Sequence, residues 1–170
     1  MSITLKLFAL LVTPLAALAA PSAAASNSVV PAAFVPGDTE SGPFNRCSTQ
    51  TYHKNNLMHT ADMMDCLAIS EWAKQHHGIW ILHATTTTGG LVVNKRDDHE
   101  GWYALRMQDN CALLVKSNKT TTIGNQDVVD LIESIHLGDG IGLGPIEEVG
   151  VFGGCQDGVD VELWLRDPKM

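Results

Sequence analysis

The sequence is short of the patterns that mark a catalytic or metal site. Its four cysteines never lie closer than nineteen residues, so no Cys-x-x-Cys pair exists, and neither a His-Glu-x-x-His run nor a Gly-x-Ser-x-Gly elbow occurs. Those absences remove the sequence signals of a zinc finger, a thioredoxin-type thiol pair and a serine hydrolase. Basic residues are also scarce, eleven Lys+Arg against nineteen Asp+Glu over 170 residues, a formal charge of −8. That is the wrong sign for a nucleic-acid partner or for attraction to an anionic membrane surface. No internal repeat is visible, and past the N-terminus no apolar run approaches the roughly 20 residues needed to span a bilayer. What remains, 45% hydrophobic and 18% charged, is the composition of an ordinary globular protein of one domain.

The N-terminus speaks for a compartment. Met1 to Lys6 carries one positive charge, Leu7 to Leu18 is apolar except for Thr13 and Pro14, and Ala17-Leu18-Ala19 supplies small residues for a signal peptidase. A signal peptide over 1–19 is therefore expected, the apolar run being too short for a membrane anchor. Its loss removes Lys6 and leaves ten basic against nineteen acidic residues, net −9. The C-terminal Trp164 to Met170 is too polar for a glycolipid-anchor signal, so a released, extracellular protein without stable membrane anchoring is expected. Residues 20–46 are rich in Ala, Ser and Pro, with breakers at Pro31, Pro36, Gly37, Gly42 and Pro43, and read as a flexible leader. A single domain is expected over 47–167.

Periodicity predicts two helices. The first runs over about 61–77, with Thr60 capping it, Asp62 in its first turn, Met63, Cys66, Leu67, Ser70, Ala73 and His77 on one face, and Gly78 closing it in a left-handed conformation. The second runs from Asn125 to Leu137, with Val128, Leu131, Ile132 and Ile135 inward, Asp127, Asp130 and Glu133 outward, and Gly138 as terminator. Strands are expected at Ile79 to Ala84, in a hairpin through Gly89-Gly90 to Val93, at Trp102 to Met107 and Cys111 to Val115 joined by Gln108-Asp109-Asn110, and at Val149 to Phe152. The clearest strand is Val159 to Leu165, where Val159, Val161, Leu163 and Leu165 alternate with Asp160, Glu162 and Trp164. The order predicts an α+β fold, a mainly antiparallel sheet covered by two helices.

Several residues invite chemistry. Cys47, Cys66, Cys111 and Cys155, an even number in a secreted chain, are expected to form two structural disulfides. Three pairings are open; a ferredoxin-like sheet would favour Cys66 with Cys111 and Cys47 with Cys155. His76, His77, His83 and His99 suggest a metal, yet adjacent helical residues point about 100° apart and no ligand set accompanies them. Asp62 and Asp65 are explained by the helix dipole and by solvation. The glycines at 138, 140, 142 and 144 follow a helix, whereas phosphate cradles precede one, so a surface loop is expected. Asn118-Lys119-Thr120 is an N-glycosylation sequon, and Lys95-Arg96 is a dibasic pair in a polar loop. No catalytic residue, metal or cofactor is expected, and the chain reads as a monomer.

Four segments together resemble a known family: Ala61 to Cys66, Cys111-Ala112-Leu113, Gly124 to Ile132, and Gly150 through Cys155 to Trp164. They are similar to the necrosis-inducing factor family of small fungal secreted effectors, homologous to an extracellular protein of a leaf-mould pathogen, over about 47–165. Asp65-Cys66, Gly78-Ile79-Trp80, Gly124 to Asp127, Gly153-Gly154-Cys155 and Trp164 match its pattern in order, while the stretch 94–107 is longer and more charged. The resemblance implies a disulfide-bonded effector associated with plant cell death or microbial antagonism, with a fold similar to fungal killer toxins, and it implies no catalytic residues. The expected function is binding to an unidentified host or competitor surface target. The alternatives are a killer-toxin-like protein that perturbs membranes or channels, and a small hydrolase using Asp62, Asp65 or Glu71.

Two outcomes follow for secreted material from a eukaryotic host. N-terminal sequencing should begin at Ala20, and deglycosylation should lower the apparent mass by the same shift as Asn118→Gln. A full-length chain in the membrane fraction would refute the first, and an unshifted mass the second.

Overall fold

The computed structural model describes residues 29–38, 42–55, 58–84, 101–138 and 144–169. Two helices and eleven strands are formed among them, in the order β1 (Val30–Pro31), β2 (Ala33–Pro36), β3 (Thr49–Lys54), β4 (Ala61–Asp62), α1 (Met63–Gln75), β5 (Gly78–Leu82), β6 (Tyr103–Gln108), β7 (Cys111–Lys116), β8 (Thr121–Gly124), α2 (Asn125–Gly138), β9 (Pro145–Ile146), β10 (Glu148–Cys155) and β11 (Val159–Arg166). The large sheet has the order β1-β6-β7-β11-β10-β3, antiparallel except where β1 runs parallel to β6. A second sheet is β2-β5-β8, and β4 pairs with β9. The fold is α+β and stapled by two disulfides, as the sequence predicts.

The strand order is not the ferredoxin one. There the strand preceding the first helix lies inside the sheet, whereas here β4 pairs with β9 outside the large sheet and β3, before it, lies at that sheet's edge against β10. One main core fills the space between the inner face of the large sheet and a layer made by α1, α2 and the small sheet. Phe152, Val161, Leu163, Leu165, Leu113 and Val115 face Met63, Ile69, Leu131, Ile132, Trp80 and Ile123 across it, all buried. Alternation along β11 sets this orientation, because residues two apart share a face.

Several boundaries differ from expectation for identifiable reasons. Helix α1 starts two residues later, because Ala61 and Asp62 pair with Ile146 and Pro145. Asp62, not Thr60, is the cap, its carboxylate accepting the Met64 N–H at 2.8 Å. Gly78 does not close the helix; His76 does so in an extended conformation, its ring stacked on Trp72 at 4.2 Å, and Gly78 opens β5. The β6–β7 turn falls at Asp109-Asn110 with Asp109 left-handed at φ 44°, which Asp tolerates. The signal peptide, the 85–93 hairpin, Lys95-Arg96, His99 and most of the glycine loop lie outside the described residues.

The flexible leader is corrected from Val30 onward. β1 and β2 lie there, Val30-Pro31 opposite Tyr103-Ala104 and Ala33 to Pro36 opposite Gly78 to Ile81. Prolines read as breakers because they lack an N–H, but both strands are sheet edges, where one row of N–H groups has no ladder partner to lose.

The most connected point is the start of α2. Asp127, expected to face solvent, is fully buried. Its Oδ2 accepts the N–H of Gly124 at 2.7 Å and of Arg46 at 2.9 Å, and its Oδ1 accepts the Cys47 N–H at 3.1 Å. Asn125, also buried, accepts the Phe44 N–H at 2.9 Å and the Gly78 N–H at 3.3 Å, and donates to the Ala73 carbonyl at 3.0 Å. Gly124 is required because a Cβ there would run into the Phe44 carbonyl. Burial pushes the Asp127 carboxyl above the usual range; the N–H groups of Arg46, Gly124 and Cys47 oppose that rise and the Asp130 charge adds to it. An outward reading fails because this carboxylate replaces water with three backbone donors.

Asp127→Asn should destabilise the domain by about 1 to 3 kcal/mol, because the amide NH₂ must face a backbone N–H. Urea unfolding checks this; an unchanged midpoint would overturn the role assigned to the carboxylate. Cys66→Ser, which opens the helix-to-sheet bridge, should cost about 2 to 4 kcal/mol in the same measurement.

Candidate functional site

The four cysteines are all joined, Cys47 to Cys155 and Cys66 to Cys111, closing separations of 108 and 45 residues. The first bridge ties the chain ahead of β3 to the end of its neighbour β10; the second ties α1 to β7. The pairing is the one a ferredoxin-like sheet would favour, although the sheet is not ferredoxin-like: α1 packs on β6 and β7 in either topology.

The acids singled out from the sequence hold structure. Asp62 caps α1. Asp65 is not merely solvated, since its Oδ2 accepts from both the backbone and the side-chain N–H groups of Asn110, at 3.0 and 3.1 Å. This bond and the Cys66–Cys111 bridge join consecutive residues of α1 to consecutive residues of the β6–β7 hairpin. Glu71 is exposed beside Lys74 and accepts from Gln75 at 2.9 Å. His76 and His83 are exposed and His77 is half-buried. Among the described residues no group of three or more His, Cys, Asp or Glu could hold a metal ion. Asn118 is exposed in the turn between β7 and β8.

The sequence reading missed the outer face of the large sheet. Ala104, Ala112 and Leu114 form a second, small apolar cluster there, with Val29, Trp102 and Trp164 packed against it. The two indoles meet nearly edge to face, centroids 5.8 Å apart at 62°. Beside them is an open groove of about 330 Å³, with Val149 and Val151 on its wall and His53, Asn55 and Glu162 as its polar side chains. One signal was legible: Trp164 occupies the polar phase of β11, where Asp160 and Glu162 also point.

Trp164 is firmly held. The Arg166 guanidinium lies 4.3 Å from its ring centroid, and its indole N–H donates to Glu147 Oε1 at 3.2 Å. Glu147 is itself buried and also accepts from Asn55 Nδ2 at 2.8 Å and the His59 N–H at 3.1 Å. Burial alone would raise its carboxyl, but the donors from His59, Asn55, Trp164 and the Met58 backbone outweigh it and hold the group below the ordinary glutamate range. One carboxylate therefore positions the groove's indole and its amide together.

A two-helix α+β protein cross-linked by two disulfides, with an aromatic groove on its open sheet face, is the class defined so far. The family described as pathogen effector, putative necrosis-inducing factor, matches residues 46–140, more than half of the chain, and this chain belongs to it. No curated protein matches the sequence. The matched segment contains Asn125, Asp127 and all their bonded partners but Phe44, and it stops short of β10 and β11 and hence of Val149, Glu162 and Trp164.

Because the Glu147 pKa is lowered on folding, its ionisation stabilises the fold above the unfolded-state pKa, and that contribution is lost as pH falls through the lowered folded value. Glu147→Gln should cost about 1 to 3 kcal/mol at neutral pH and leave a shallower loss of stability on acidification, read by tryptophan fluorescence during urea unfolding. An acid limb as steep as that of the parent would contradict the assignment.

Proposed function

We propose that this protein is a secreted, non-enzymatic effector that binds a surface component of a host or a competing microbe and provokes cell death. Membership of the pathogen-effector family carries the reading. Two disulfides fit an oxidising, extracellular compartment. Asp62, Asp65 and Glu71, the acids named for the hydrolase alternative, are each engaged with a structural partner. The groove between β3, β10 and β11 is the surface offered to a target, its tryptophan fixed before the target arrives.

Tissue infiltration and competitor-growth assays test this on variants whose fold is checked by circular dichroism. Trp102→Ala should abolish activity, whereas Asp62→Asn and Glu71→Gln should leave it within a few-fold of the parent. An enzyme using either acid would lose about a hundredfold or more. Loss of activity in a folded carboxylate variant, together with turnover of a cell-wall polymer, would replace the effector reading with the hydrolase one.

A further inference from the structure

A solvated sheet face carries polar side chains at alternate positions. Strand β11 keeps this rule at Asp160 and Glu162 and breaks it at Trp164, which lies across from Val149 on β10 and Leu114 on β7. Trp102 joins it from the chain entering β6. The main core lies on the opposite face, so these indoles are not part of it. The groove they border, about 330 Å³, is at the small end of the range for ligand sites.

Charge narrows what fits. The Glu162 carboxylate borders the groove, and Trp164 sits between the Glu147 carboxylate on its N–H and the Arg166 guanidinium on its ring, so charges of both signs flank the indoles. A polyanion would be repelled by a chain carrying −8. A polycation would be repelled by the Arg166 guanidinium seated on the Trp164 ring. An uncharged ligand with an apolar face and a hydroxylated edge meets neither penalty. A pyranose ring has that form: its axial C–H groups pack against an indole, and its hydroxyls both donate to Glu162 and exchange hydrogen bonds with Asn55 and His53. Asn55 spends an amide N–H on Glu147, which leaves its carbonyl oxygen for a hydroxyl. Trp164, held by Glu147 and Arg166, loses little rotamer freedom when covered.

We infer that the Trp102–Trp164 groove binds an uncharged pyranose polysaccharide of a cell wall. The inference rests on the surface-binding reading above and names the class of its target. The test is calorimetry and tryptophan fluorescence on the oxidised protein with cellohexaose, laminarihexaose and the hexamer of N-acetylglucosamine, against polygalacturonate and hexalysine as charged probes. At least one uncharged hexamer should bind, with both charged probes weaker. Trp102→Ala should weaken that binding about tenfold or more. The exposed substitutions Glu162→Gln and His53→Ala, which leave the apolar cluster untouched, should each weaken it several-fold. The inference is overturned if no uncharged hexamer binds up to roughly 10 mM, weaker than the millimolar range. It is equally overturned if all three variants bind like the parent, or if a charged probe binds best. Cell death retained by a protein that binds no sugar would refute the glycan and leave the effector reading standing.

Discussion

The fold depends on a buried polar knot at the first turn of α2. Asn125 and Asp127 gather backbone groups from the chain ahead of β3, from the end of α1, from the start of β5 and from β8. Those segments are up to 81 residues apart in sequence, and only β5 and β8 share a ladder here, with Ile79 opposite Gly124. Each bond satisfies a backbone group that burial would otherwise leave unpaired at a cost of about 1 to 3 kcal/mol. The knot thus does what a hydrophobic contact cannot, fixing direction and register as well as proximity.

The residues that carry the family resemblance acquire physical roles from this arrangement. Gly124 to Asp127 is the knot itself, and Asp65-Cys66 is the double link from α1 to Asn110-Cys111. Both are architectural. Through these residues the family pattern transmits a scaffold, while its Trp164 lies in the groove on β11, beyond the matched segment, where neighbouring residues can change. A scaffold cross-linked at two points tolerates such change because its core lies on the other side of the sheet from the groove.

The groove was only partly legible in advance. Trp164 stood out of phase in an otherwise alternating strand, but one aromatic on a polar face has many explanations until a second lies beside it. Trp102 is 62 residues earlier in the chain, and no spacing rule links them. Glu147 was equally silent: one acid in a Glu-Glu pair does not announce that it will collect the Trp164, Asn55 and His59 N–H groups. Asp127 was misread for the related reason that helical phase places a side chain on a face without saying what covers it.

Local patterns determined a good deal unaided. Alternation determined β11 and which of its faces is buried, three- and four-residue spacing determined both helices, and an even set of separated cysteines led to two bridges. The helices and the strand depend on neighbours within a turn or a strand, where geometry is set by the backbone itself, and the number of bridges follows from cysteine count and compartment. The tertiary structure decided what proline-rich residues 30–36 become, which way Asp127 faces and where Trp102 meets Trp164. Each of these depends on a partner tens of residues distant, and an edge strand, a buried carboxylate or an aromatic pair exists only once that partner has arrived.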